Sequence, residues 1–333
     1  MRVLIIKTSS LGDVVHNLPI LADIKKQAPN AVIDWVVEES FVDIVKLHPD
    51  VTNIIPIAFR RWRKSLFSKS TMIDIALAIK HLRQNQYDYI IDTQGLLKSV
   101  LVALSARGSS YGRNWKSNRE AFASLFYKHR FDVPFEQHTV TRNRQLTALA
   151  LNYAVPSNAP DYGLPSVELA EFIDPALKLP KDYVLGLHAT SRDSKLWPIA
   201  NWIEVGQSLE KNGLSLLLPW SNNSELERAN IISKQLKKVM VLPKLSIHSL
   251  AKICAGARAA IGVDTGLVHL AVALNIPSIA IYTDSEPTLN GALAAKNQIA
   301  INLGGRGKIP SPSQVLSAFT SLNIVPTFSC KPS

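Results

Sequence analysis

The stretch Ala260-Ile-Gly-Val-Asp-Thr-Gly-Leu-Val-His-Leu-Ala271 decides how the chain is read. Ala259 to Val263 is apolar and bounded by a turn signal, the pattern of a short buried strand. Asp264-Thr265-Gly266 breaks the run, and Leu267 to Leu274 resumes with helical character. The result is a strand, a tight polar loop and a helix start. Such a loop presents backbone N–H groups at the positive end of a helix, a natural seat for a phosphate. Asp264, Thr265, Gly266 and His269 gather there, with His269 about one turn after Thr265. The same spacing also fits an ordinary loop in which Asp264 or Thr265 caps the helix.

The pattern recurs along the chain. Arg2 to Lys7 is an apolar, parallel-type strand. Thr8 to Asp13 forms a loop with Asp13 at the cap, and Val14 to Gln27 reads as one helix with Pro19 near its first turns. Ile33–Val37, Asn53–Ile57 and Tyr87–Asp92 are further strands. Thr93-Gln94-Gly95 leads into a helix over Leu97–Ser105. This alternation predicts a doubly wound, mostly parallel sheet, which collects ligands at the carboxyl ends of its strands. Asp13, the Arg60-Arg61-Trp62-Arg63-Lys64 loop and Gln94 all lie at those ends.

Residues 106–140 are less regular and rich in basic and aromatic side chains, and 156–180 is proline-rich, an interdomain signal. A second series follows, with strands at Tyr183–Leu187, Ser215–Leu218, Val239–Leu242, Ala259–Val263 and Ser278–Tyr282. The reading is therefore an α/β chain of two domains, 1–160 and 180–310. A closing helix within 311–325 is expected to pack back on the first.

Length and composition agree with two ordinary domains: 333 residues, 47% hydrophobic and 19% charged. The two cysteines, Cys254 and Cys330, form neither a disulfide framework nor a metal cluster, so a reducing compartment is expected. The first residues are too briefly apolar for a signal peptide. Leu267–Tyr282 is interrupted by His269, Asn275 and Pro277, which excludes a membrane span. The net charge of +11 calls for an anionic partner: nucleic acid, a phosphorylated sugar or an acidic membrane. No nucleic-acid reading motif accompanies the charge, so no nucleic-acid partner is expected.

Neither half carries Gly-x-Gly-x-x-Gly or a P-loop, and no spacing indicates a catalytic metal. Five motifs occur together and in order: Lys7-Thr8-Ser9-Ser10-Leu11-Gly12-Asp13, Asp92-Thr93-Gln94-Gly95, His188-Ala189-Thr190-Ser191, Lys195-Leu196-Trp197-Pro198 and Val263-Asp264-Thr265-Gly266-Leu267-Val268-His269. On these residues the chain resembles the ADP-heptose:lipopolysaccharide heptosyltransferases of Gram-negative bacteria, over roughly residues 1–310. The Arg60–Lys64 loop and Ala123-Ser124-Leu125-Phe126-Tyr127 bring it nearest the heptosyltransferase I branch.

The resemblance implies a GT-B architecture, two Rossmann-like domains facing across a cleft. It implies an inverting transfer of heptose from ADP-heptose to the Kdo of Kdo2-lipid A. Thr190, Ser191, Lys195, Glu225, Leu245, Asp264, Thr265, Gly266 and His269 match donor-binding positions, and Lys195 would also offset charge on the departing ADP. Asp13 matches the general base. Arg60, Arg61, Arg63, Lys64 and Gln94 are acceptor-side candidates, with Arg119, Gln137, His138, Arg142 and Arg144 as weaker ones. A plain first-turn carboxylate is the competing reading of Glu225, and a solvated loop that of the arginine cluster. The turn Tyr282-Thr283-Asp284-Ser285-Glu286-Pro287 departs from the family's Gly-Pro-Thr pattern. No tightly bound cofactor is implied, and Mg²⁺ would act through substrate phosphates. The implied location is the cytoplasmic face of the inner membrane, held peripherally by charge. An already heptosylated acceptor, or non-catalytic binding of nucleotide sugar or glycolipid, are the alternatives.

Overall fold

The computed structural model describes residues 1–171 and 173–324, so Cys330 and position 325 of the expected closing helix lie outside the described residues. The chain forms two compact units, Met1–Leu164 and the part from Pro165 onward.

In the first unit the strands are β1 (Arg2–Ile6), β2 (Val32–Glu38), β3 (Asn53–Ile57), β4 (Gln86–Asp92), β5 (Arg107–Arg113) and β6 (His129–Phe131). They form one parallel sheet in the order β3-β2-β1-β4-β5-β6. The second unit has β7 (Tyr183–Leu187), β8 (Ser215–Leu218), β9 (Val239–Val241), β10 (Ala259–Val263), β11 (Ser278–Tyr282) and β12 (Ala300–Gly304). Their order, β12-β11-β10-β7-β8-β9, is the same winding repeated. In both sheets the strand order reverses beside the first strand, between β1 and β4 and between β7 and β10. Connections leave these neighbours toward opposite faces, which opens a crevice at their carboxyl ends. Registers bring the ends level: Ile6 pairs with Asp92, and Leu187 with Gly262. The motif loops after β1, β4, β7 and β10 therefore start side by side within each unit.

The central strands β1, β2, β7, β10 and β11 are buried on both faces, as their near-continuous apolar content requires. Trp35, Trp197 and Trp202 are among the largest fully buried side chains. Burying a large apolar side chain stabilises by about 1.5–3 kcal/mol, so these rings anchor their units. Trp197 and Trp202 meet edge to face at 5.4 Å.

Four expectations change. The helix read as Val14–Gln27 is two, Leu11–Val15 and Pro19–Gln27. Pro19 has no N–H to return to the preceding turn, so the first helix closes with short bonds from Asn17 and Leu18 to Val14 and Val15. The cap of the first helix is Ser10, and Asp13 sits in its first turn. Strands β5, β6 and β12 were not expected, because Arg107-Gly-Ser-Ser-Tyr-Gly-Arg113 lacks the apolar run of a buried strand. The closing helix, Pro312–Ser321, was expected on the first domain. Instead Val315 and Leu322 enter the second unit's core beside Trp202.

Candidate active site

In the first unit the site begins where β1 ends. Lys7 is 4% exposed, and its Nζ donates to the Thr93 carbonyl at 3.3 Å. Burial draws its ammonium down to about 8, against the pull of the Asp13 carboxylate. Asp13 is half-buried. Its Oδ2 accepts from the Ser10 N–H and the Ser10 hydroxyl, each at 2.9 Å. Burial alone would push this carboxyl up, but the Lys7 charge, the two Ser10 bonds and Arg119 more than reverse that. Asp13 is thus held as a carboxylate below its usual range, ionised at neutral pH.

A second loop holds the first in place. Gln94 Oε1 accepts from the Thr8 N–H at 3.0 Å and the Ser9 N–H at 3.3 Å. Asp92, raised by burial, accepts from the N–H groups of Gln94 and Gly95 and from the Tyr127 hydroxyl at 2.7 Å. Gly95 has φ +69°, and a Cβ there would lie 1.9 Å from Asn118 Oδ1, so only glycine fits this turn. Buried Arg113 donates to the Thr93 carbonyl at 3.0 Å and to Asn143 at 2.7 Å, and burial brings it to about 10.

The arginine loop divides by function. Arg61 grips Glu39 with two bonds at 3.2 and 3.1 Å and Asp74 at 2.5 Å. Those carboxylates hold its guanidinium charged above its ordinary value. Its fork is occupied by these two carboxylates, which tie the loop to β2's end and to the helix Lys69–Leu82. Arg60 lies over the Phe41 ring at 5.0 Å, while Arg63 and Lys64 are exposed. Lys98 stands with them: its Nζ donates to the Ser9 hydroxyl at 3.3 Å, and burial followed by the charges of Arg60 and Arg63 lowers it.

Other acceptor-side candidates have local tasks. Gln94 Oε1 is committed to the β1 loop. His138 Nδ1 accepts from the Val140 N–H at a helix start, and its ring meets His16 edge-on at 5.5 Å. Arg144 is a buried bidentate partner of Asp23, and Arg142 packs over Phe135 while bonding the Ser117 carbonyl. Arg119 is exposed and acts on Asp13 through its charge.

In the second unit, Lys195 Nζ lies 2.6 Å from Asp264 Oδ2. The Ser285 hydroxyl donates to the same oxygen, and Thr190 Oγ1 donates to the Asp264 carbonyl at 2.9 Å. The helix Gly266–Ala273 begins immediately beyond, with Thr265 at its cap and His269 buried. Lys195 and the Ser285 hydroxyl thus hold the Asp264 carboxylate, Thr190 holds its backbone carbonyl, and the N–H groups of a helix start lie next to them, where an anion is favoured. Arg228 ties the wall together by donating to the carbonyls of His188 and Trp197. Ser191 is exposed, and Leu245 is half-buried before the Ser246 cap. Glu225 accepts from the Ser221 N–H at 2.7 Å and from the Asn222 amide at 2.9 Å in the first turn of its helix.

Lys7, Lys98, Arg113, Arg228 and Ser285 were not singled out as site residues. A charged residue closing an apolar strand was the available signal for Lys7. Ser285 had none, lying in the turn that departs from the family pattern. Among the described residues, no group of three or more His, Cys, Asp or Glu could hold a metal ion. No helix among them is long and apolar enough to cross a membrane.

Residues 75–314 match the family model for glycosyltransferase family 9 (heptosyltransferase). The chain is 43% identical to lipopolysaccharide heptosyltransferase 1 of Pseudomonas aeruginosa, over 88% of this chain and 81% of that protein. It superposes on the E. coli heptosyltransferase WaaC with ADP at TM-score 0.89 and 38% identity, covering 97% of this chain and 100% of that one. With ADP-2-deoxy-2-fluoro heptose bound to WaaC, the TM-score is 0.85 at 37% identity, with the same coverage. Two repeated parallel sheets, their motif loops at the strand-order reversals and these likenesses lead to one conclusion: the chain is a GT-B glycosyltransferase belonging to family 9, the heptosyltransferases.

Proposed function

We propose that the chain transfers L-glycero-D-manno-heptose from ADP-heptose to a Kdo of Kdo2-lipid A in the lipopolysaccharide inner core, with inversion. The observation that carries this reading is the division of chemistry between the units. The first has an ionised, half-buried carboxylate ringed by basic side chains, and the second has a cation beside a helix N-terminus. Asp13 takes the proton of the acceptor hydroxyl as its oxygen attacks the anomeric carbon. The bond from that carbon to the phosphate oxygen breaks, and its electron pair leaves on ADP. Lys195 and the first N–H groups of the Gly266–Ala273 helix offset that charge. Thr190, Ser191, Thr265, His269, Glu225 and Leu245 shape the rest of the donor seat.

Arg60, Arg63, Lys64, Lys98 and Arg119 suit the carboxylates and phosphates of the acceptor, with Arg61 holding their loop. The donor assignment draws support from the ADP-2-deoxy-2-fluoro heptose bound to the E. coli relative. The acceptor class draws support from the name of the P. aeruginosa relative. Mg²⁺ acts, on this reading, through substrate phosphates. The protein works peripherally at the cytoplasmic face of the inner membrane, where a lipid acceptor is presented.

Incubation with ADP-heptose and Kdo2-lipid A, followed by mass spectrometry of the lipid, tests the proposal. A gain of one heptose is expected. No gain, together with transfer to an already heptosylated core, would overturn the acceptor. Absence of ADP-heptose binding would overturn the donor.

A further inference from the structure

The outer face of the first unit is unusually apolar for a water-facing surface. In the helix Leu97–Ser105, Leu97, Leu101 and Leu104 recur at helical spacing on one line, and Leu101 is 63% exposed. On one side this helix packs against the helix Lys69–Leu82, which turns Met72, Ile73 and Leu77 outward. On the other it packs against the turn Ala121–Phe126, which exposes Phe122, Leu125 and Phe126. The opposite edges of the two helices, Ala78, Leu82, Val102 and Ala103, are buried in one core against the sheet. The exposed rows therefore belong to one outward layer. Trp115 joins it edge-on to Phe122 at 5.0 Å, and Phe67, 93% exposed, leads into it.

Charge is concentrated in the same segment. Residues 60–130 hold 14 Lys and Arg against 4 Asp and Glu, a net +10 of the chain's +11. Lys64, Lys69, Lys80, Lys116 and Lys128 are exposed in the same stretch of chain as the apolar side chains. A second copy of this face would meet it with like charge, which disfavours self-association. Large exposed apolar side chains rimmed by lysine, with Trp and Phe among them, fit the headgroup boundary of an anionic bilayer. There the rings and leucines enter the interface while the ammonium groups meet phosphate.

We propose that this face of the first unit is a docking surface for an anionic lipid bilayer, held by inserted apolar side chains as well as by charge. Its biological sense rests on the lipid-acceptor reading above, and it replaces the purely electrostatic attachment expected from the sequence. A mixed contact resists salt better than charge alone, because screening weakens only the ionic part.

Co-sedimentation of the full chain with vesicles tests this, comparing phosphatidylethanolamine–phosphatidylglycerol with pure phosphatidylcholine. Binding to the anionic vesicles is expected, with a substantial fraction retained in high salt. The variant L101Q/L104Q/F122S should lose affinity by about tenfold or more, since three apolar side chains that enter the interface become polar. Its transfer of heptose to a soluble, acyl-free Kdo-glucosamine acceptor should be unchanged. Wild-type affinity in that variant would overturn the proposal, as would absence of binding to anionic vesicles. A concentration-dependent dimer without vesicle binding would assign the face to a second copy and overturn it equally. Vesicle binding without transfer to any acceptor would support the docking surface while overturning the functional reading, so the two can fail separately.

Discussion

The two units wind their sheets identically and place their motif loops at the same topological position, yet they carry opposite chemistry there. The first ends β1 and β4 in a buried polar network, Lys7, Asp92 and Arg113, which supports one reachable carboxylate. The second ends β7 and β10 in Thr190, Lys195 and Ser285 gathered around Asp264 at a helix start. Their exteriors differ as well. The first unit exposes rows of leucine and phenylalanine among lysines. Among the described residues of the second, the large exposed apolar side chains are Ile231, Ile299 and Ile309. The winding decides where a ligand is met, and the loops decide what is done to it.

The sharpest way to break this division is to remove one member from each side. Asp13→Ala should lower kcat by about 10³–10⁴-fold, toward the upper end for a general base, while calorimetric binding of ADP-heptose is retained. Loss of donor binding in that variant would mean the units do not divide the work. Lys195→Ala should lower kcat by about 10²–10³-fold and also raise the donor KM, because the charge it offsets is on the donor. An acceptor KM that moved more than the donor KM would place Lys195 on the wrong side.

Each unit also has a buried histidine, His48 in the first and His188 in the second, that burial draws down to about 4 from 6.5. The unfolded chain binds those protons more readily, so this stability is complete above pH 6.5 and lost as pH falls from 6.5 toward 4. Each site contributes roughly 2–3 kcal/mol over that window. Thermal melts at pH 7.5 and pH 5 should show the loss, and His188→Phe should flatten the second unit's part of it. An unchanged slope would mean His188 charges without cost. The smallest effect should come from the arginine loop. Arg63→Ala should raise the acceptor KM roughly fivefold, the worth of one solvent-exposed ion pair, and Arg61→Ala should raise it less. The reverse order in steady-state kinetics would show that Glu39 and Asp74 release Arg61 to substrate.

Local pattern was enough to read most of the alternating strands and helices, the presence of two units and the loops at the strand ends. Apolar runs followed by the polar loops that hold Asp13, Gln94, Lys195 or Asp264 advertise strand ends, because a doubly wound sheet buries its central strands and leaves their carboxyl ends open to ligand. Strands β5, β6 and β12 were illegible for the complementary reason, since their side chains do not form the apolar run of a fully buried strand. Tertiary structure alone decided which charges are spoken for. Arg61 is paired with residues 22 and 13 positions away, Lys195 with Asp264 at 69, and Arg144 with Asp23 at 121. Such pairings depend on which loops the winding brings together, and no local spacing encodes them. The same holds for the lowered Lys7 ammonium and for the outward rows at Leu101 and Phe122. Periodicity in a single helix shows that it has an apolar line, and only the packed layers show that the line faces out.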